Sequence, residues 1–205
     1  MKSRNSRTLV IGLALLLCGA PADADSVADA RAVMEKTVAD VLVILDDSSL
    51  SLHAKRDRIQ AIAYERFDFE TMSKLVLKKD WKKFDAAQQQ EFVVEFREHL
   101  SARYGENLGK YERERVEIAG QRGEKNGDVT VKTLIRGGKF DGTPVDYRLR
   151  KGSDWEVIDV VIENISLVSS FRQQFADVLA KGGPAGVLAK LKQRNAARAA
   201  AKPAS

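Results

Sequence analysis

Two histidines, His53 and His99, and one cysteine, Cys18, are all that 205 residues offer for imidazole or thiol chemistry. Acid–base catalysis or a metal site needs such groups in company. Here they are isolated: neither histidine neighbours a cysteine, and no HExxH, GxSxG or phosphate-cradling glycine loop occurs. His53 reads as part of a polar loop and His99 as lying beside the apolar stripe of a long helix. Asp159 is the one acid worth testing, because it sits in the most apolar strand-like segment, Trp155 to Ile162. A carboxyl desolvated there could act as a general base; one that faced solvent or a nearby arginine would only be a strand residue. No partner acid stands out, so the second reading is adopted. Trp81, among Lys78, Lys79, Lys82 and Lys83, could stack on single-stranded nucleic acid or touch a membrane. The plainer reading, an indole packed on the core beneath a solvated loop, is preferred. No catalytic residue, metal or cofactor is assigned.

The N-terminus gives an address. Lys2, Arg4 and Arg7 precede an apolar run from Leu9 to Leu17, and Ala22-Asp23-Ala24 supplies small residues at the −3 and −1 positions. This reads as a signal peptide over residues 1–24, cleaved between Ala24 and Asp25. The run is too short to span a bilayer, which needs roughly 20 apolar residues. A lipid anchor on Cys18 is the rival reading, but a lipobox wants a small residue where Leu17 stands. Cleavage would leave no cysteine, excluding disulfides and thiolate sites together. It would also remove three cations and one acid, lowering the net charge from +5 to +3. Export and a mild mixed charge argue against nucleic acid as a partner.

The elements that must position any site divide by period. Helical spacing runs from Val27 to Leu45, from Ala54 to Glu65 and, after the N-cap Asp68, through Leu77. Asp85-Ala-Ala-Gln88 reads as a capping box that opens a long helix to about Tyr111, with Phe92, Phe96, Leu100, Tyr104, Leu108 and Tyr111 on one face. The period then changes to two. Strands are expected at Arg115–Ala119, Asp128–Arg136, Val145–Leu149 and Trp155–Ile162, joined by tight turns as an antiparallel meander. Helical period returns at Leu167, stops at Gly182-Gly183 and resumes from Pro184 to Leu191. The expected fold class is α+β: helices packed on a four-stranded curled meander with an apolar cavity between them. Residues 25–192 are taken as a single domain and 193–205 as a disordered Ala/Lys/Arg-rich tail.

The string from Phe67 carries more than periodicity. Phe67-Asp-Phe-Glu70, then Leu75-Val-Leu77, Trp81, and Gln88, Phe92, Phe96, Leu100 and Tyr104 at four-residue spacing resemble the MlaC/toluene-tolerance family of periplasmic phospholipid carriers. The likeness continues through the meander, Trp155-x-Val-x-Asp-Val160 and the Glu163-Asn-Ile-Ser166 turn. The family often has glycine where Lys78 and Asn164 stand. Asn tolerates left-handed backbone, whereas Lys78 departs from the family's pattern in its local loop.

The resemblance implies a soluble periplasmic carrier that encloses the acyl chains of a phospholipid. It would shuttle that lipid between an inner-membrane MCE-domain/ABC permease complex and an outer-membrane lipoprotein–porin complex, maintaining outer-membrane lipid asymmetry. A diacyl lipid exposes roughly 28 methylenes, at about 0.8 kcal/mol each, so such a carrier must cover most of both tails. Inward periodicity nominates Leu75, Val76, Phe92, Phe96, Leu100, Tyr104, Val131, Tyr147, Leu149, Val157, Val161, Ile165, Val168 and Phe171 as the lining. A hopanoid-like polycyclic lipid is an alternative cargo. An isomerase resembling ketosteroid isomerase, with Asp159 in its pocket, is the other alternative.

Overall fold

The computed structural model describes residues 24–201. The expected signal peptide, apart from Ala24, lies outside them. Five helices surround one antiparallel sheet: α1 Ala24–Asp46, α2 Leu52–Arg66, α3 Phe69–Leu77, α4 Ala86–Gly105 and α5 Leu167–Ala201. The strands β1 Arg115–Gly123, β2 Val129–Arg136, β3 Pro144–Lys151, β4 Trp155–Ile162 and β5 Ile165–Ser166 lie in sequential order. The α+β expectation holds, with one short strand more than the four foreseen and no closure into a barrel.

Local chemistry explains most element boundaries. Ser51 Oγ accepts from the Ala54 N–H at 3.2 Å to start α2, and Asp68 Oδ1 accepts from the Thr71 N–H at 2.8 Å to start α3. The Asp85–Gln88 box forms in both directions: Asp85 Oδ1 accepts from the Gln88 N–H at 2.8 Å, and Gln88 Oε1 from the Asp85 N–H at 3.1 Å. At α5, Ser166 Oγ accepts from the Ser169 N–H at 3.0 Å, while the Asp159 carboxylate accepts from the Ser166 hydroxyl at 2.6 Å and the Val168 N–H at 3.1 Å. Asp159, 1% exposed, is thus the brace for a helix start.

Four expectations are corrected. Helix α4 stops at Gly105, and a 3-10 segment carries the chain from Glu106 to Lys110. Tyr111 therefore leaves the helical stripe; its hydroxyl donates to Asp46 Oδ1 at 2.9 Å, tying β1 to the end of α1. His53 lies in the first turn of α2 with Asp57 one turn on, not in a loop. His99 is buried rather than beside the stripe. Residues 193–201, read as part of a disordered tail, continue α5 past the Gly183 kink (φ 58, ψ −157). Asn195 holds that extension down: its side-chain N–H groups reach Glu95 O at 3.0 Å and Glu95 Oε2 at 2.8 Å, satisfying α4 from a neighbouring helix.

Lys78, between α3 and the following 3-10 turn, has φ 50 and ψ −126, a conformation that a Cβ disfavours. Glycine there would relieve roughly 1–3 kcal/mol of strain against about 0.5–1 kcal/mol of added chain entropy. Lys78→Gly is therefore expected to stabilise the protein by about 1 kcal/mol in urea unfolding. A lower midpoint in the variant would mean that the lysine backbone is unstrained.

The apolar interior has two parts. Helices α3, α4 and α5 enclose an aromatic core with Phe92, Phe96, Phe171 and Phe175 at its centre. Helix α1 lies over β1 and β2, closing a second cluster on one face of the sheet. Phe67 packs on both. Its bridge to Val157, with the Asp68 N–H donating to Val157 O at 3.1 Å, pins the helical part to β4.

Candidate functional site

Alternation sorts the sheet into an apolar face and a polar one. On the apolar face the residues form rows across the strands. The innermost row is Val129, Leu149 and Val157; the middle is Val131, Tyr147 and Val160; the outer is Ile118, Thr133, Val145 and Ile162. Cover thins along this floor. The inner row is at most 1% exposed. In the middle row Val131 and Val160 are buried but Tyr147 is half-buried, and in the outer row Thr133 is buried while Ile118, Val145 and Ile162 are half-buried. Helix α1 lies over β1 and β2 and also reaches β4, whereas no helix among the described residues makes comparable contact with β3, and Leu167 at the start of α5 packs against the same cluster.

The same end of the sheet collects exposed apolar side chains. Phe140 stands in the β2–β3 turn and Ile165, 62% exposed, pairs with Ile162 beyond the β4 turn. Val43 stands out near the end of α1, whose Asp46 pairs with Arg115 at 3.1 Å, and Leu52 lies against Gly109 just before β1. The floor is closed under α1 at one end and opens toward these side chains at the other.

A β-bulge decides which residues reach the floor. Leu149 pairs with Val157 while the adjacent Arg148 pairs with Asp159, so Ile158 is the extra residue. Trp155 and Val157 face the apolar side before it, and Val160 and Ile162 after it. This corrects the inward placement of Val161, which instead joins Arg122, Glu124, Asp146 and Arg148 around a cleft of about 280 Å³ on the polar face. Asp159 shares that side, its carboxylate 3.9 Å from Arg148. Nearby, Asp128 takes a bidentate grip from Arg150 at 2.7 and 2.8 Å, and the pair raises the Arg150 pKa further. Ile165 is likewise outside the expected lining, since the two-residue β5 turns it to solvent.

The other nominated residues fall into the two clusters. Val131, Tyr147, Leu149 and Val157 lie on the floor. Leu75, Val76, Phe92, Phe96, Leu100, Tyr104, Val168 and Phe171 belong to the helical core. There the rings fill one another's space: Phe92 stacks on Phe96 at 5.6 Å, and Phe96 meets Phe171 edge-to-face at 5.1 Å. Their full burial makes them a packed core rather than the wall of a lumen. His99 is part of that core, edge-on to Phe171 at 5.5 Å with Nδ1 3.1 Å from Asn195 Oδ1. Burial pushes its pKa down, which keeps it neutral. Trp81 packs on Phe84 and Phe92, the plain reading of that indole.

Sequence reasoning missed Val145 and Ile162 as floor residues, and Leu167 as packed against the same cluster. Val145 could have been found, since it alternates in register with Tyr147 and Leu149. Ile162 was hidden by the bulge. Among the described residues no His, Cys, Asp and Glu cluster could hold a metal, and no helix is long and apolar enough to cross a membrane.

With this geometry in place, likeness to known proteins is informative. The family model described as MlaC protein matches residues 35–193. Toluene tolerance protein ttg2D of Pseudomonas putida is 26% identical over 148 residues, covering 67% of this chain and 69% of that protein. A solved phospholipid-binding protein from Ralstonia solanacearum, in complex with a phospholipid, superposes with a TM-score of 0.75 at 28% identity. It covers 83% of this chain and 99% of its own.

Proposed function

Since the chain belongs to the MlaC protein family, we propose that it carries a phospholipid with the acyl chains laid on the half-covered floor of the sheet. One observation carries the reading: cover over the apolar face thins in one direction, from a sealed row at Val129, Leu149 and Val157 to a row where Val145 and Ile162 are half-buried beside the buried Thr133. Such a floor can shelter tails inside while a headgroup stays wet at the open end. The Ralstonia solanacearum relative, which holds a phospholipid, supports the same cargo here.

Residues 1–24, read as a signal sequence, would direct export to the periplasm, with the chain from residue 25 through α5 acting as one lipid-binding domain. There the protein would pass lipid between an inner-membrane MCE-domain/ABC complex and an outer-membrane lipoprotein–porin complex. Such a carrier needs no catalytic group. Asp159, the acid an isomerase would use, is engaged by Ser166 and Val168 on the far side of the strand, so the enzyme alternative gains nothing from it.

The test is native mass spectrometry of the mature protein from a periplasmic extract, with organic extraction of what it holds. A mass excess matching a diacyl phospholipid is expected. A polycyclic lipid would replace the cargo, and a bare protein mass after gentle handling would remove the carrier reading.

A further inference from the structure

The apolar floor carries a phenol that nothing among the described residues satisfies. Thr133, the other hydroxyl on it, is engaged with Val145 O. Tyr147 has no hydrogen-bond partner among the described residues, and its pKa is raised by burial alone, with no bond or charge contributing. An O–H donor in apolar surroundings gains from any acceptor brought to it. Trp155 makes a useful contrast. Its indole N–H is also unpaired, but the ring is 3% exposed and shut into the closed end with Ala30 and Met34. Tyr147 keeps accessible surface and stands one row behind Val145, about 7 Å inside the open end at strand spacing.

That depth has a chemical meaning for the cargo. In a diacyl lipid the last strong acceptors before pure hydrocarbon are the two ester carbonyls, just inside the headgroup. If the headgroup stays in water at the Val145–Ile162 row, the esters come level with the middle row. We propose that the Tyr147 hydroxyl donates a hydrogen bond to an acyl-ester carbonyl of the bound lipid. This bond sets how deep the tails enter and favours ester-linked lipids over those without a carbonyl at that level. The proposal rests on the carrier reading.

The experiment compares delipidated mature protein and its Tyr147→Phe variant for uptake of two probes from vesicles. One probe is a diacyl phosphatidylethanolamine; the other is its dialkyl ether analogue with the same chain length and headgroup. The wild type is expected to prefer the ester lipid by about three- to tenfold, the worth of one neutral hydrogen bond. The variant should bind both probes equally at an unchanged melting temperature, because the hydroxyl makes no bond within the protein. A wild type without preference, or a preference that survives in the variant, overturns the proposal alone. Wild-type protein that takes up neither probe overturns the carrier reading and this proposal with it.

Discussion

Val145→Glu is expected to empty the protein of lipid while leaving it folded. Val145 lies in the outer row of the floor, half-buried and packed beside Tyr147 and Ile162. A glutamate there can turn its carboxylate toward water, so the fold tolerates it. A tail that crossed this row could not: displacing three or four methylenes from contact costs about 3 kcal/mol, more than a hundredfold in affinity. Desolvating the charge adds to that. Native mass spectrometry for lipid content and a circular-dichroism melt on the same sample read the two effects separately. A folded variant that kept its full complement of phospholipid would take this row out of the lipid path. The same charge at Val131 is a poorer probe, since that side chain is sealed and the fold itself would be at stake.

Deleting Ile158 is expected to keep the fold while costing it about 2–5 kcal/mol. Ile158 is the extra residue of the bulge, so without it Leu149 still pairs with Val157 and Arg148 with Asp159. Alternation then runs unbroken: Val157, Val160 and Ile162 stay on the apolar floor, while Asp159 and Val161 stay on the polar side, where Asp159 can still brace α5. What is lost is a side chain that is 0% exposed, comparable to truncating a large core residue. Ile158→Val, which keeps the register and trims one methyl, should lose only about 1 kcal/mol. Urea unfolding reads both losses, and a deletion protein that fails to fold would show that β4 needs its bulge for more than that side chain.

That bulge also marks where sequence reasoning ran out. Helix starts were readable because they rest on local chemistry: Asp68, and Asp85 with Gln88, make the bonds their spacing promised. The strands were readable from alternation, and the turns between them from glycine and aspartate. In Trp155–Ile162, however, apolar residues occupy both parities, so nothing in the letters reveals that the frame shifts at Ile158. Long-range anchoring was equally invisible. A stretch of Ala, Arg and Lys looks like a tail until Asn195 is seen to bond Glu95, 100 residues away. For His99, spacing placed the ring near the stripe but could not say that Asn195 would satisfy one nitrogen and let it be buried. Residue type cannot separate a filled core from a floor, because Phe96 and Val145 are both simply apolar. Only the neighbours that cover them distinguish the two.

A vessel must keep its shape when it is empty. The division of the interior into an aromatic core and a separate floor, joined at Phe67, meets that demand. The rings of Phe92, Phe96, Phe171 and Phe175 pack on one another, stacked, tilted or edge-to-face, and borrow nothing from a guest. Loss of the cargo would wet Val145, Tyr147 and Ile162 while leaving that keel untouched. A carrier of this build would need no refolding on releasing its lipid.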